Sequence, residues 1–191
     1  MITVSRSSIV KRAVHDVAGF LWPGEIPVLV NLLESVAPRR VIETGVNYGR
    51  TARKLLAEVR SIAEYVGIDV PSDYLTPLEV QRAEVPRDAG HEARGDSRFK
   101  VILRPRGSYD LTPADLGACD AFFVDGDHSA DGVRNDTALA RVCVRPGGII
   151  VWHDYYPGSD ILGVAAVLDE YVAQGFDIRH VEGTCLAFQK I

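Results

Sequence analysis

The chain has few cysteines, no long apolar run and no excess of positive charge. Its three cysteines, Cys119, Cys143 and Cys185, are an odd number at unrelated spacings, which favours reduced thiols over disulfides or a zinc site. No segment approaches the roughly 18–20 apolar residues of a membrane span. The net charge is −5, so the chain lacks the excess of basic residues that a nucleic-acid-binding surface needs. Reduced thiols, and an N-terminus without the apolar core of a signal peptide, predict a cytoplasmic protein.

The composition is that of a folded globular protein. Apolar residues make up 47% of the chain and charged residues 25%. The length of 191 residues predicts a single domain with one sizeable core. Within residues 1–191 we distinguish an N-terminal helical segment, 1–38, and a variable insert, 71–98.

Helix and strand patterns alternate along the chain. Apolar residues at helical spacing predict a helix around 28–36 that ends before Pro38. A segment poor in apolar residues, 85–98, predicts a mobile loop. The remaining predicted helices are 50–60, 76–84 (weaker), 130–143 and 161–174. The predicted strands are 40–44, 65–70, 100–103, 120–124, 149–154, 176–181 and 185–191.

Strands separated by helices predict a parallel sheet with helices on both faces. The last two strands are joined only by a short turn at Gly183, so they must pair as an antiparallel hairpin. The predicted fold class is therefore α/β. It is a Rossmann-like three-layer sandwich with a seven-stranded, mostly parallel sheet that ends in an antiparallel hairpin.

The segment VIETGVNYGRT, 41–51, carries the clearest binding signal. A strand ends at Glu43, and Gly45 and Gly49 then lead into a helix, so backbone N–H groups can approach a ligand closely. A second acid, Asp69, ends the next strand at a spacing typical of a residue that holds a ribose. The pattern predicts binding of a nucleoside-containing cofactor.

Three segments together resemble one family: ETGVNYGRT (43–51), VDGDHSADGVRND (124–136) and RPGGIIVWHD (145–154). The chain resembles class I S-adenosylmethionine-dependent methyltransferases, and among them the small metal-dependent O-methyltransferases of the catechol, caffeoyl-coenzyme A, sugar and macrolide types. The resemblance runs from about Glu25 to the C-terminus and is weakest across 71–106. It implies S-adenosylmethionine as cofactor and O-methylation of a small-molecule hydroxyl. A homodimer is a further expectation from the family.

The resemblance also implies which residues bind the methyl donor. Asp69 is expected to accept hydrogen bonds from both ribose hydroxyls, and Gly107 with Ser108 to flank the adenine. A rival position for the adenine contact is 96–97. The residues expected at the methionine end of the donor are Glu43, Gly45, Asn47, Gly49 and Thr51, with Asp125 also beside the cofactor.

Metal and base roles follow from the same resemblance. Asp125 and Asp154 end two buried strands, and with His153 they match the positions of the family's metal ligands. A His–Asp pair replaces the family's Asp–Asn pair. The imidazole nitrogen favours Mn²⁺, Fe²⁺ or Zn²⁺ over Mg²⁺, although the carboxylates are compatible with Mg²⁺ or another divalent cation. His128 stands at the position of the family's lysine base and could accept the hydroxyl proton. Asp125 and His128 are thus the predicted catalytic residues.

Several alternatives stay open at this point. A metal-free enzyme could use His128 or His153 as its base, and His153 could instead pack as a partly buried core residue. Asp131 and Asp136 are expected to be exposed, without a role. Three other classes of protein are alternatives: an NAD-binding oxidoreductase, a catalytically inactive binding protein and a cephalosporin-hydroxylase-like relative. The oxidoreductase would have a parallel sixth strand. The expected partner is a small hydroxyl acceptor, and neither nucleic acid nor membrane is expected.

Overall fold

The computed structural model describes residues 1–16, 22–76, 82–158 and 162–191. Strands and helices alternate through most of this range. The strands are β1 (Ile2–Val4), β2 (Arg40–Thr44), β3 (Glu64–Asp69), β4 (Phe99–Leu103), β5 (Cys119–Val124), β6 (Val144–Trp152), β7 (Arg179–Val181) and β8 (Ala187–Lys190). The helices are α1 (Arg6–Ile9), α2 (Glu25–Glu34), α3 (Arg50–Glu58), α4 (Pro113–Leu116), α5 (Ala130–Cys143) and α6 (Gly163–Ala173). None of the described helices is long and apolar enough to cross a membrane.

The strands form one sheet in the order β1-β7-β8-β6-β5-β2-β3-β4. The five strands from β6 to β4 are parallel, whereas β8 lies antiparallel between β6 and β7. The mostly parallel sheet with an antiparallel terminal hairpin is confirmed. The oxidoreductase alternative predicts a parallel strand at the position where the structure has the antiparallel strand β8.

The predicted number of seven strands was wrong, because the sheet has eight. The additional strand is β1, which pairs in parallel with β7 at the sheet edge. Three residues are too few to show a hydrophobic period, and their pairing partner lies more than 170 residues along the chain. The sequence pattern around Ile2–Val4 therefore could not reveal this strand.

The core lies on both faces of the sheet. Along β5, Ala121 and Phe123 pack into the cluster with α2 and α3, while Phe122 and Val124 pack into the cluster with α5 and α6. All six β5 residues are buried, as a strand covered by helices on both faces requires. The three-layer sandwich follows from this alternation.

The segment predicted as a mobile loop, 85–98, packs in part against the core. It contains no regular element in its described part, yet Ala89 and Ala93 are buried in the core. Its backbone is tied to the β2–α3 turn, since the Gly90 N–H donates to the Asn47 carbonyl at 2.7 Å. The weak helix predicted at 76–84 lies largely outside the described residues.

Candidate active site

A cavity of about 390 Å³ lies at the carboxyl ends of the central parallel strands, where ligands bind in sheets of this kind. Its volume is within the range of about 300–1,000 Å³ that is typical of small-molecule sites. Most of the residues selected from the sequence line it. These are Gly45, Asn47, Asp69, Gly107, Ser108, Asp125, His128, His153 and Asp154.

The turn after β2 brings two strand ends together. Gly45 has a φ of +76°, and a Cβ atom at this position would lie 2.0 Å from the Asp125 carbonyl oxygen. The Gly45 N–H donates to the Ile68 carbonyl at 2.9 Å. Only glycine permits this packing, which places the ends of β2, β3 and β5 around one cavity.

Asp69 closes the cavity at the end of β3. One oxygen of its carboxylate accepts the Asn47 N–H at 2.6 Å, and the other accepts the Val70 N–H at 2.7 Å. Burial outweighs these bonds and raises the pKa of Asp69 to about 6. The two backbone bonds fix the orientation of the carboxylate, and each oxygen retains a lone pair for a ligand hydroxyl.

Three of the predicted cofactor residues lie outside the cavity lining. Along β2, Thr44 faces the cavity, and Glu43 therefore projects to the other face of the sheet. There it is buried, and burial together with the charge of Asp125 raises its pKa well above the ordinary value. Thr51 is buried in the first turn of α3, and Gly49 packs against Gly90, outside the cavity lining. Strand alternation and helix packing explain the difference from the sequence prediction.

Two carboxylates and an imidazole meet at the end of β5 and β6. Asp125 follows β5, Asp154 follows the neighbouring parallel strand β6, and His128 lies in the turn before the N-cap of α5, Ser129. The His128 Nε2 atom is 3.3 Å from Asp154 Oδ2 and 3.6 Å from Asp125 Oδ1. One ligand atom from each of the three residues lies within 4.8 Å of the others, which is a spacing suited to one cation.

The electrostatics of this trio favour a bound positive charge. Asp125 Oδ2 is buried without a hydrogen-bond partner among the described residues. Burial is the largest influence on the pKa of His128 and lowers it, but the carboxylates of Asp125 and Asp154 outweigh burial and hold it above its ordinary value. Asp154 has a φ of +56°, a left-handed conformation that costs a non-glycine residue of the order of 1–3 kcal/mol.

His153 has a different environment from the one predicted. Its Nδ1 atom is 3.1 Å from Asp125 Oδ1, and its Nε2 atom is 2.9 Å from an oxygen of Glu25. Burial lowers its pKa, but Asp125 and further carboxylate contacts raise it well above the ordinary value. The two carboxylates favour a ring protonated on both nitrogens, and such a ring has no lone pair for a metal. Among the described residues, the group that could hold one cation is Asp125, His128 and Asp154, and His153, which was predicted as a ligand, is not part of it.

Asp136 is a site residue that the sequence interpretation missed. It was expected to be exposed, but it is buried and lines the cavity. The Ser108 hydroxyl donates to its carboxylate, and burial raises its pKa to about 6. The signal was present in the helical spacing, because Asp136 lies on the buried face of α5 with Val133 and Ala140. Asp131 is exposed, as predicted.

Aromatic residues border the cavity on the β6 side. The Trp22 Nε1–H donates to the Tyr156 hydroxyl at 2.6 Å, and both residues line the cavity. Tyr155 instead points away: it is buried and donates to Asp169 at 2.9 Å. Of these two neighbouring tyrosines, only Tyr156 lines the cavity.

Comparison with known proteins shows to which family the chain belongs. A family model described as a methyltransferase domain matches residues 42–155, which is more than half of the chain. The chain belongs to this methyltransferase domain family, so the resemblance predicted from the sequence is confirmed. The matched region spans the glycine turn, the end of β5 and the end of β6. None of the curated proteins matches the sequence.

Solved structures share the fold at low sequence identity. The SAH-bound methyltransferase PaMTH1 of Podospora anserina is 17% identical with a TM-score of 0.61, over 87% of this chain and 77% of that protein. The O-methyltransferase NovP is 14% identical with a TM-score of 0.66, over 87% and 78%. The O-methyltransferase TomG of Streptomyces achromogenes, solved in complex with SAM, is 18% identical with a TM-score of 0.57, over 88% and 79%.

Proposed function

We propose that this chain transfers the methyl group of S-adenosylmethionine to a hydroxyl group of a small molecule. The observation that carries the proposal is the meeting of Asp125, His128 and Asp154 in the same cavity as Gly45 and Asp69. One part of the cavity offers groups suited to a nucleoside, and the other offers groups suited to deprotonating and orienting a hydroxyl. The O-methyltransferases with the same fold support the reaction class.

The donor-binding part of this proposal rests on groups with matching chemistry. The Asp69 carboxylate is held by two backbone N–H groups and can accept from the ribose hydroxyls. Gly107 and Ser108 lie farther along the same wall, next to the buried Asp136. Gly45 keeps the floor of the cavity clear of a side chain. Such a cavity suits a nucleoside and leaves room for its methionine part.

The acceptor-binding part rests on the trio of Asp125, His128 and Asp154. Their oxygen and imidazole donors fit a divalent cation such as Mg²⁺ or Mn²⁺. A divalent cation there would lower the pKa of a bound hydroxyl and orient it. His128 alternatively serves as the base itself, because its Nε2 atom faces the cavity between two carboxylates that stabilise its protonated form.

Chelation separates these two roles for the trio. We expect methyl transfer from labelled S-adenosylmethionine to hydroxyl-bearing sugars and polyketide-like compounds to stop in EDTA and to return when Mg²⁺ or Mn²⁺ is added in excess. Product formation is measured by mass spectrometry. Undiminished turnover in EDTA would contradict the cation and favour His128 as the base. Transfer only to nitrogen or carbon acceptors would contradict O-methylation.

Donor binding is tested at Asp69. Removing the charge that a ribose hydroxyl bonds costs about 1.5–3 kcal/mol, so Asp69→Asn should weaken the binding of S-adenosylhomocysteine by about 10–100-fold in isothermal titration calorimetry. Asp177→Asn is the control, because Asp177 is exposed and pairs with Arg179 away from the cavity. Binding of NADH in place of S-adenosylhomocysteine by the unmodified protein would contradict the proposed donor.

A further inference from the structure

Glu25 is a buried acid that the proposed reaction does not yet use. It begins α2 and has no exposed surface. Burial costs a carboxylate several kcal/mol of hydration free energy, which its partners have to offset. One of its oxygens lies 2.9 Å from His153 Nε2 and also accepts the Trp22 N–H at 2.9 Å. Its other oxygen accepts the Cys185 N–H. Glu25 therefore has a full set of partners, one of which belongs to the site.

His153 transmits this contact to Asp125. The imidazole contacts Glu25 through Nε2 and Asp125 Oδ1 through Nδ1, so the ring cannot turn without losing a bond to a charged group. One oxygen of Asp125 is occupied in this way, while the other is buried without a hydrogen-bond partner among the described residues. The row Glu25–His153–Asp125 thus holds Asp125 Oδ1 in place, which is also the oxygen that lies 3.6 Å from His128 Nε2, and leaves Oδ2 available to a cation.

We propose that Glu25 is a positioning residue, which holds the His153 ring and through it keeps the Asp125 carboxylate within reach of His128 and Asp154. The inference rests on the proposed function, because it assigns Glu25 to the cation-binding part of that site. Residues that orient the ligands of a metal site typically contribute about 10–100-fold to metal affinity or activity.

A purely structural role for Glu25 is the competing explanation. Its bonds to the backbone of Trp22 and Cys185 could simply join the segment before α2 to the segment before β8. Glu25→Gln, compared with His153→Asn, separates the two roles. With its amide oxygen on the Cys185 N–H, its NH₂ group cannot accept from the Trp22 N–H or from the protonated Nε2 of His153. His153→Asn removes the ring contact alone, so the two variants together distinguish that contact from the backbone bond.

The test is a calorimetric titration of Mn²⁺, with and without bound S-adenosylhomocysteine. Four proteins are compared: the unmodified chain, Glu25→Gln, His153→Asn and the double variant. We expect Glu25→Gln to weaken Mn²⁺ binding by about 10–100-fold, with affinity for S-adenosylhomocysteine unchanged within about threefold. The double variant should bind Mn²⁺ no more weakly than His153→Asn alone, because Glu25 acts through the ring.

Glu64→Gln is the matched control, since Glu64 is the first residue of β3, at the end of the strand opposite the cavity, and pairs with Arg40 and Lys100. It should bind Mn²⁺ like the unmodified chain. Unchanged Mn²⁺ affinity in Glu25→Gln, losses that multiply in the double variant, or no Mn²⁺ binding by the unmodified chain would each overturn the positioning role. Failure of the unmodified chain to bind S-adenosylhomocysteine would instead contradict the proposed function, and the titration without it still tests Glu25.

Discussion

His128→Gln is expected to lower kcat for methyl transfer by about 10²–10⁴-fold, the contribution that a positioned acid–base group typically makes. His128 lies at the cavity with its Nε2 atom 3.3 Å from Asp154 and 3.6 Å from Asp125. Glutamine retains a polar side chain but cannot accept the hydroxyl proton. Affinity for S-adenosylhomocysteine should change little, because the proposed donor-binding residues Asp69 and Ser108 belong to β3 and to the segment after β4, whereas His128 follows β5.

The same variant distinguishes a base from a ligand. If His128 is the base, the loss of kcat persists at any Mn²⁺ concentration; if it is a ligand, raising Mn²⁺ restores part of the activity. His15→Gln is the control, because His15 is exposed and does not line the cavity. Activity of His128→Gln equal to that of His15→Gln would exclude both roles.

Gly45→Ala is expected to lower the free energy of unfolding by about 2–5 kcal/mol. The left-handed backbone costs an alanine roughly 1–2 kcal/mol, and forcing a methyl group into a packed region costs about 1–3 kcal/mol. The added Cβ would lie 2.0 Å from the Asp125 carbonyl oxygen, where backbone has to move. Urea denaturation followed by circular dichroism measures the loss.

Gly183→Ala isolates the two contributions. Gly183 has a similar φ of +70°, but no atom of the described chain lies within 4 Å of the position of its Cβ. This variant should therefore lose only the backbone contribution of about 1–2 kcal/mol. Equal losses in the two variants would show that the close contact between the β2–α3 turn and Asp125 is absent.

The sheet and the strand ends of the site followed from the sequence because their signals are local. The run AFFV, 121–124, is apolar throughout, and Asp125 follows it directly. Two glycines that follow an apolar run and precede a helical pattern, as Gly45 and Gly49 do, predict a turn from the local sequence. The strand order that the family resemblance implies makes the strands before Asp125 and Asp154 neighbours, and the structure pairs β5 with β6 in parallel.

What the sequence did not reveal depends on contacts between distant segments. Glu25 lies 128 residues from His153, and a glutamate in the first turn of a helix has an adequate local explanation as a favourable charge near the helix N-terminus. The exchange of His153 for His128 in the candidate ligand set has the same origin, because only the fold shows that Glu25 occupies the second nitrogen of His153. Asp136 differs: its helical spacing was readable, and the polarity of the residue led to the wrong prediction.

The left-handed backbone at Asp154 limits which residue types can occupy this position. Besides glycine, only aspartate and asparagine adopt this conformation readily, and of these three aspartate alone brings a negative charge. Glutamate is the usual conservative exchange for aspartate, but it adopts this left-handed backbone conformation less readily, although its charge is the same. In a library randomised at this codon, folded clones should be rich in glycine, asparagine and aspartate, and any surviving cation affinity should be confined to those that kept an acid.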